Sequence, residues 1–158
     1  MAAEFRRVEC RSTIRRFRPE DTEGVTAIAR ESPAAASWTE AGYRELAESR
    51  GGLALVSEAE GKVRGFLVGR ELGDEAEVLN LAVKPGERRR GAGRELLQAA
   101  LEEFRARGVS RVFLEVRESN EAAIAFYAKQ GFSRTGRRPA YYRDPDEAAV
   151  LMENKLTG

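Results

Sequence analysis

The chain has 158 residues, enough for one domain with a substantial buried core. Its 27 basic and 26 acidic side chains almost cancel, which does not favour a protein whose main ligand is duplex nucleic acid. It contains no histidine and one cysteine, Cys10, which excludes a histidine-based catalytic triad, an ordinary zinc site and an intrachain disulfide. A general base would have to be a carboxylate, a tyrosine, a lysine or a water relay.

The first half of the chain predicts one strand, two helices and an antiparallel meander. Residues 1–11 have no apolar period and are expected to form a flexible extension, followed by one domain over residues 12–158. A strand is predicted over residues 12–17 and a helix over residues 19–30, started by Pro19. Ser37 and Glu40 match a capping box for a short helix reaching about residue 49. Strands over residues 53–57, 62–71 and 77–83 complete the meander.

The second half predicts two helices alternating with strands. After Gly91, apolar residues recur at helical period as far as Phe104, and Gly108 ends that helix. A strand follows over residues 111–116, and Asn120 caps a second helix that closes at Gly131. Strands over residues 132–138 and 148–153 are joined by a loop rich in proline and tyrosine. Because a strand–helix–strand unit is parallel, we expect a mixed α/β sheet with helices on both faces.

A glycine-rich turn links the strand ending near Val83 to the helix after Gly91. It has the pattern Arg-x-x-Gly-x-Gly, with Arg88, Gly91 and Gly93 at the defining positions. It lacks the Gly-Lys-Ser/Thr of a P-loop, and Leu96 occupies the third glycine position of a dinucleotide fingerprint. Backbone amides that converge at a helix N-terminus favour an anion, so the turn predicts a site for the pyrophosphate of a nucleotide-like cofactor. The alternative is that these glycines only permit tight packing.

A second stretch has the sequence Leu-Glu-Val-Arg-Glu-Ser-Asn at residues 114–120, then Ala-Ala-Ile-Ala-Phe-Tyr at 122–127 and Gly-Phe at 131–132. Together the two stretches resemble the GCN5-related N-acetyltransferase superfamily over about residues 77–138. The resemblance implies a single-domain mixed sheet of about seven strands, whose two central parallel strands splay apart around acetyl-CoA. It also implies direct acetyl transfer that releases coenzyme A. The residues it assigns to the cofactor are Leu81, Ala82, Val83, Arg88, Arg89, Arg90, Gly91, Ala92, Gly93, Arg94, Asn120 and Tyr127.

The resemblance also implies the catalytic groups, with Glu115 as the base and Tyr127 as the acid that protonates the departing sulfur. Acetyl transfer requires an amine without its extra proton and a stabilised thiolate, and these two side chains are chemically adequate for both. The sequence pattern alone leaves another interpretation open for each of these two residues. Glu115 could be a charge on the solvent face of a half-exposed strand, and Tyr127 could be a core aromatic residue.

The acceptor side is similar to the bacterial ribosomal-protein alanine N-acetyltransferases. The residues that carry this likeness are Trp38-Thr39, Tyr141-Tyr142, Asp146-Glu147-Ala148 and Met152. It implies a protein N-terminus as acceptor, that of ribosomal protein S18, in a groove lined by Trp38, Tyr141 and Tyr142. Packing under loops is the alternative for these three aromatic residues.

The sequence is also compatible with two other functions. The protein could be an acetyltransferase for a small amine or amino acid, or an acetyl-CoA-binding module without catalysis. No apolar run approaches the roughly 20 residues that cross a bilayer, and the N-terminus has no signal-peptide core. We therefore expect a cytoplasmic monomer or homodimer that uses no metal and binds neither membrane nor nucleic acid.

Overall fold

The computed structural model describes residues 12–32, 35, 38–87, 91–143 and 145–156, where the chain folds as an α/β sandwich. The expected extension, residues 1–11, lies outside the described residues. The strands are β1 (Thr13–Arg16), β2 (Gly52–Ala59), β3 (Lys62–Leu72), β4 (Glu75–Val83), β5 (Arg111–Arg117), β6 (Ser133–Tyr142) and β7 (Glu147–Lys155). The α-helices are α1 (Thr22–Arg30), α2 (Glu40–Glu48), α3 (Ala92–Ala106) and α4 (Glu121–Lys129). Short 3-10 helices cover Pro19–Asp21 and Pro85–Glu87.

The seven strands form one mixed sheet in the order β1-β2-β3-β4-β5-β7-β6. The predicted meander is confirmed, since β2, β3 and β4 pair antiparallel in sequence. Strands β4 and β5 are parallel, but they pair with each other only where residues 75–77 lie beside residues 111–113. Beyond that short ladder the two strands diverge, which confirms the predicted splay at the centre of the sheet.

Two hydrophobic layers lie on opposite faces of the sheet, so the prediction of helices on both faces is also confirmed. The helical stripe of α3 is buried in the first layer, where Leu96, Leu97 and Phe104 are fully inaccessible. That layer continues into β5 through Val112, and α4 packs partly against it. The second layer contains α1 and α2, which cover β2, β3 and β4 with side chains such as Val25, Ile28, Tyr43, Val56 and Phe66.

A β-bulge in β4 changes which residues face each layer. Val68 of β3 lies opposite Asn80, whereas the next residue lies opposite Val78, so Leu79 is an extra residue in β4. As a result, both Val78 and Leu81 contact the first layer. Asn80 faces the second layer, where its side-chain amide donates to the Tyr43 hydroxyl at 3.2 Å. The bulge thus sets the direction of the β4 end that borders the gap.

Two local predictions are wrong. Thr39 is the N-cap of α2, since its hydroxyl accepts the Gly42 amide at 3.0 Å, and Ser37 lies outside the described residues. The predicted proline- and tyrosine-rich loop is largely strand, because β6 continues to Tyr142. Strand β6 forms the edge of the sheet, where a proline is tolerated because one side of the strand has no ladder to join.

No helix in the described part of the chain is both long enough and apolar enough to cross a membrane.

Candidate active site

A cavity of about 1100 Å³ opens where β4 and β5 diverge. One wall is the end of β4, the floor is the start of α3, and the opposite wall comprises the end of β5 and the first turns of α4. Its lining contains Leu81, Ala82, Val83, Gly91, Gly93, Arg94, Arg117, Ser119, Asn120, Ala123, Phe126, Tyr127, Pro145 and Glu147. Most of the residues that the sequence assigned to a cofactor are therefore brought together in one place.

The floor of the cavity is the N-terminus of α3. Gly91 is the N-cap in a left-handed conformation with φ of 86°, and no side chain caps the helix there. The first helical hydrogen bond runs from the Glu95 amide to the Gly91 carbonyl at 2.9 Å. The amides of the first turn, from Ala92 to Arg94, therefore have no acceptor within the helix. Bare amides and the helix dipole together favour an anion at this position.

Gly93 lines the cavity next to these amides. A Cβ atom at this position would lie 3.7 Å from both Val83 Cγ2 and Phe126 Cζ, which is ordinary van der Waals contact. The packing of the protein therefore does not require a glycine here. Arg88, Arg89 and Arg90, which the sequence also assigned to this turn, lie outside the described residues.

The wall formed by α4 carries Asn120 and Tyr127. The Asn120 Oδ1 accepts the Ala123 amide at 3.1 Å, so this residue caps the helix and borders the cavity at the same time. The Tyr127 ring is half-buried between the rings of Phe126 and Phe132, with centroids 5.2 and 5.6 Å away. Burial, helped by the nearby Tyr142, raises the pKa of Tyr127 well above its ordinary value. Its hydroxyl therefore keeps its proton at neutral pH and can act as a donor.

Glu115 lies on the other face of β5 from the core residues Val112 and Leu114. Its side chain is only 13% exposed, and one oxygen, Oε1, lies 3.6 Å from Arg138 Nη1. The second oxygen, Oε2, is buried and accepts no hydrogen bond from any described residue. Interaction of its hydroxyl with this carboxylate, helped by partial burial, raises the pKa of Tyr141. Glu115 is therefore a largely buried carboxylate with one oxygen that has no hydrogen-bond partner among the described residues, and it does not line the cavity itself.

Tyr142 connects the two candidate catalytic residues. Burial, with the charge of Glu115 as a second cause, raises the pKa of Tyr142 to about 12. The same tyrosine acts electrostatically on Tyr127. The Arg117 guanidinium covers the Tyr142 ring, with Cζ 4.4 Å from the ring centroid, and it donates to the Arg143 carbonyl at 3.2 Å. Tyr142 is therefore coupled electrostatically to both Glu115 and Tyr127.

Trp38 is placed elsewhere in the described structure. Its ring packs on Tyr43 at a centroid distance of 5.2 Å, and it lines a smaller cavity of about 700 Å³ between α1 and α2. It is not among the residues that line the larger cavity. The structure thus groups Tyr141 and Tyr142 with Glu115 and leaves Trp38 in a separate aromatic cluster.

Sequence reasoning gave no role to Arg117 or Arg138, although both contact the candidate site. The position of Arg117 could have been noticed in the sequence. Residues two apart on a strand share a face, and Arg117 follows Glu115 by two. Nothing local indicates Arg138, whose contact with Glu115 depends on how β6 pairs with β7. Among the described residues, no group of three or more acidic or cysteine side chains is arranged to hold a metal ion.

The chain belongs to the acetyltransferase (GNAT) family, whose model matches residues 21–132. This assignment agrees with the splayed parallel strands and the cavity between them.

Within that family, the chain is similar to several individual proteins. The [ribosomal protein bS18]-alanine N-acetyltransferase of Escherichia coli is 43% identical over 94 residues, a match that spans 58% of this chain and 64% of that protein. Its crystal structure superposes with a TM-score of 0.85 at 32% identity, covering 94% of this chain and 96% of that one. A Bacillus subtilis protein provisionally named as the same enzyme is 33% identical over 92% of this chain and 96% of its own length. The structure of Ard1 from Thermoplasma volcanium has a TM-score of 0.83 at 38% identity, with coverages of 93% and 99%.

Proposed function

We propose that this protein transfers the acetyl group of acetyl-CoA to the N-terminal α-amine of a protein, with the alanine terminus of ribosomal protein S18 as the acceptor. The observation that carries the proposal is the cavity between β4 and β5, whose lining joins the uncapped N-terminus of α3 to Tyr127. The names of the Escherichia coli and Bacillus subtilis relatives support the choice of acceptor.

The residues of the cavity fit acetyl-CoA. The amides of Ala92, Gly93 and Arg94 would hold the pyrophosphate, because they have no acceptor within α3 and the start of this helix lines the cavity. The end of β4 at Leu81 would lie along the pantetheine arm, and Asn120 would border it from α4. The bound cofactor supplies an acetyl group activated as a thioester.

Two side chains would accept and donate the protons that move during the reaction. An N-terminal α-amine has a pKa of about 8, so part of it is neutral at physiological pH and a carboxylate suffices as base. Glu115 would take the proton that the nitrogen loses as the new N–C bond forms, and its unpartnered Oε2 is the oxygen suited to this. Tyr127, whose burial keeps it protonated, would give its proton to the sulfur as the C–S bond breaks. Tyr127 would then recover a proton from solvent.

The acceptor would approach from the face of the sheet where Glu115 and the two tyrosines of β6 lie. Tyr141 is 46% exposed although its hydroxyl contacts Glu115, so the ring is available to a chain that arrives from solvent. Tyr142 is more deeply placed under Arg117 and would orient the amine between base and acid. A peptide terminus needs an open groove of this kind more than a closed pocket.

The test is thiol release from acetyl-CoA with a panel of acceptors. The panel contains a peptide with the S18 N-terminal sequence, the same peptide with a blocked N-terminus, free amino acids and aminoglycosides. We expect turnover with the free peptide alone. Activity confined to the small amines would refute the proposed acceptor, and binding of acetyl-CoA in calorimetry without turnover on any acceptor would refute catalysis.

The conservative variant Glu115→Gln tests the proposed base. Because glutamine keeps the shape and cannot accept the proton, we expect kcat to fall by at least about 100-fold, with little change in the affinity for acetyl-CoA. Wild-type turnover in this variant would remove Glu115 from the mechanism.

A further inference from the structure

A distortion in the edge strand β6 brings two of its side chains to Glu115. Arg138 lies opposite Ala149 of β7, and Tyr142 lies opposite Glu147. Between these two pairs β6 advances by four residues while β7 advances by two. Within this bulge Ala140 has φ of 53°, a left-handed conformation that is uncommon for alanine. Arg138 is the last regularly paired residue before the distortion, and its guanidinium lies 3.6 Å from Glu115 Oε1 and 5.5 Å from the centroid of the Tyr141 ring.

The acidic groups near Glu115 are each paired with another cation. Glu77 of β4 is 3.4 Å from Arg70, Glu153 of β7 is 3.3 Å from Arg111, and Glu147 of β7 is 3.4 Å from Arg117. Their charges are thus partly compensated before they act on Glu115. The charged and titratable groups around Glu115 are Glu77 with Arg70 on β3 and β4, Arg111 and Arg117 on β5, Arg138, Tyr141 and Tyr142 on β6, and Glu147 and Glu153 on β7.

We propose that Arg138 is a positioning residue for the catalytic base: it holds Oε1 of Glu115 and leaves Oε2 to receive the proton of the acceptor amine. The inference rests on the proposed function. With Oε1 contacted by a guanidinium and Oε2 buried without a partner, the carboxylate has one oxygen fixed and one reactive.

The preceding residue offers a matched control. Arg137 is also paired with a glutamate, Glu118, at 2.6 Å, and it is 54% exposed against 57% for Arg138. The two arginines thus differ mainly in which carboxylate they contact. Replacing either one by glutamine removes one positive charge from the same exposed strand, but only Arg138→Gln removes the contact to the proposed base.

The experiment compares kcat and KM of the wild type, Arg138→Gln, Arg138→Lys and Arg137→Gln, with the S18-sequence peptide as acceptor. In Arg138→Gln we expect kcat to fall roughly tenfold, since the carboxylate is no longer held in place. KM for acetyl-CoA should be unchanged in every variant. Arg138→Lys, which keeps a cation beside Glu115, should recover most of the lost kcat.

Two outcomes separate this inference from the proposed function. If Glu115→Gln abolishes turnover but Arg138→Gln has the same kcat as Arg137→Gln, the positioning role is refuted and the proposed function stands. If Glu115→Gln retains full turnover, the proposed base is itself wrong and so is the role of Arg138. Thermal unfolding of each variant verifies that folded proteins are compared, and Arg138→Met is a second charge-free variant if the glutamine variant unfolds.

Discussion

Gly93→Ala should make the protein more stable and weaken its binding of acetyl-CoA. The added methyl group would make only ordinary contacts, 3.7 Å from Val83 and Phe126, so no neighbour has to move. Alanine is the better helix former, and replacing glycine in the first turn of α3 is worth up to about 1 kcal/mol. The same methyl group would project into the space that the pyrophosphate must occupy to reach the amides.

The two effects have opposite signs and can be measured separately. A gain of 1 kcal/mol corresponds to a rise in Tm of about 2 to 4 °C for a domain of this size. Losing one or two hydrogen bonds to a charged phosphate costs about 1.5 to 3 kcal/mol, which is roughly a 10- to 150-fold increase in Kd. Calorimetric scanning gives the first quantity, and titration with acetyl-CoA gives the second.

Gly91→Ala is the control for this prediction. Gly91 has φ of 86°, where alanine is strained by about 1 to 2 kcal/mol, so this variant should lose stability where Gly93→Ala gains it. An unchanged Kd in Gly93→Ala would refute the reasoning, because the pyrophosphate could not then lie against the amides of α3. A fall in Tm for the same variant would show that the space beside Gly93 is required by the fold.

Three further predictions concern Tyr127, Asn120 and Asp21. Tyr127→Phe should lower kcat by about 10²- to 10⁴-fold in the peptide assay while calorimetry finds the affinity for acetyl-CoA unchanged, since only the proton donor is lost. Asn120→Asp should keep Tm, because aspartate caps a helix equally well, but weaken acetyl-CoA binding severalfold through a negative charge in the cavity. Burial opposes the charge of Asp21, but hydrogen bonds from the Arg15 side chain and the Arg18 amide outweigh it and lower its pKa. That contribution to stability is present above the unfolded-state pKa near 4 and is lost as pH falls through the lower folded value. Asp21→Asn should therefore cost about 3 kcal/mol in urea unfolding at pH 7 and flatten the loss of stability in acid.

The elements with strong periodicity could be predicted from the sequence. The stripe from Leu96 to Phe104 is buried in the structure, because five apolar residues at helical spacing can be removed from water on one side only. The residues at the start of α3 and α4 that line the cavity could also be singled out from the sequence, since the glycines and Asn120 lie in two continuous segments. Local chemistry determines both features, so local sequence reveals them.

Features that depend on pairing between distant segments were not predicted. The bulge at Leu79 depends on how β4 aligns with β3, and Asn80 is accommodated by the Tyr43 hydroxyl 37 positions away in the chain. Similarly, Pro139 suggested a loop, yet the segment joins β7 because an edge strand tolerates the missing amide. The contact between Arg138 and Glu115 follows from that pairing and has no local signature.

The position of β6 has a consequence for solubility. An outermost strand offers its free backbone groups to any other chain, and uncontrolled association by this route leads to fibrils. Here nine of its ten residues are exposed, and they include Arg134, Arg137, Arg138 and Pro139. If two copies approached along this strand, their arginines would repel each other. Pro139 also has no backbone N–H to donate to the neighbouring chain. Arg138, which we propose to position Glu115, therefore also helps to keep separate molecules apart at high concentration.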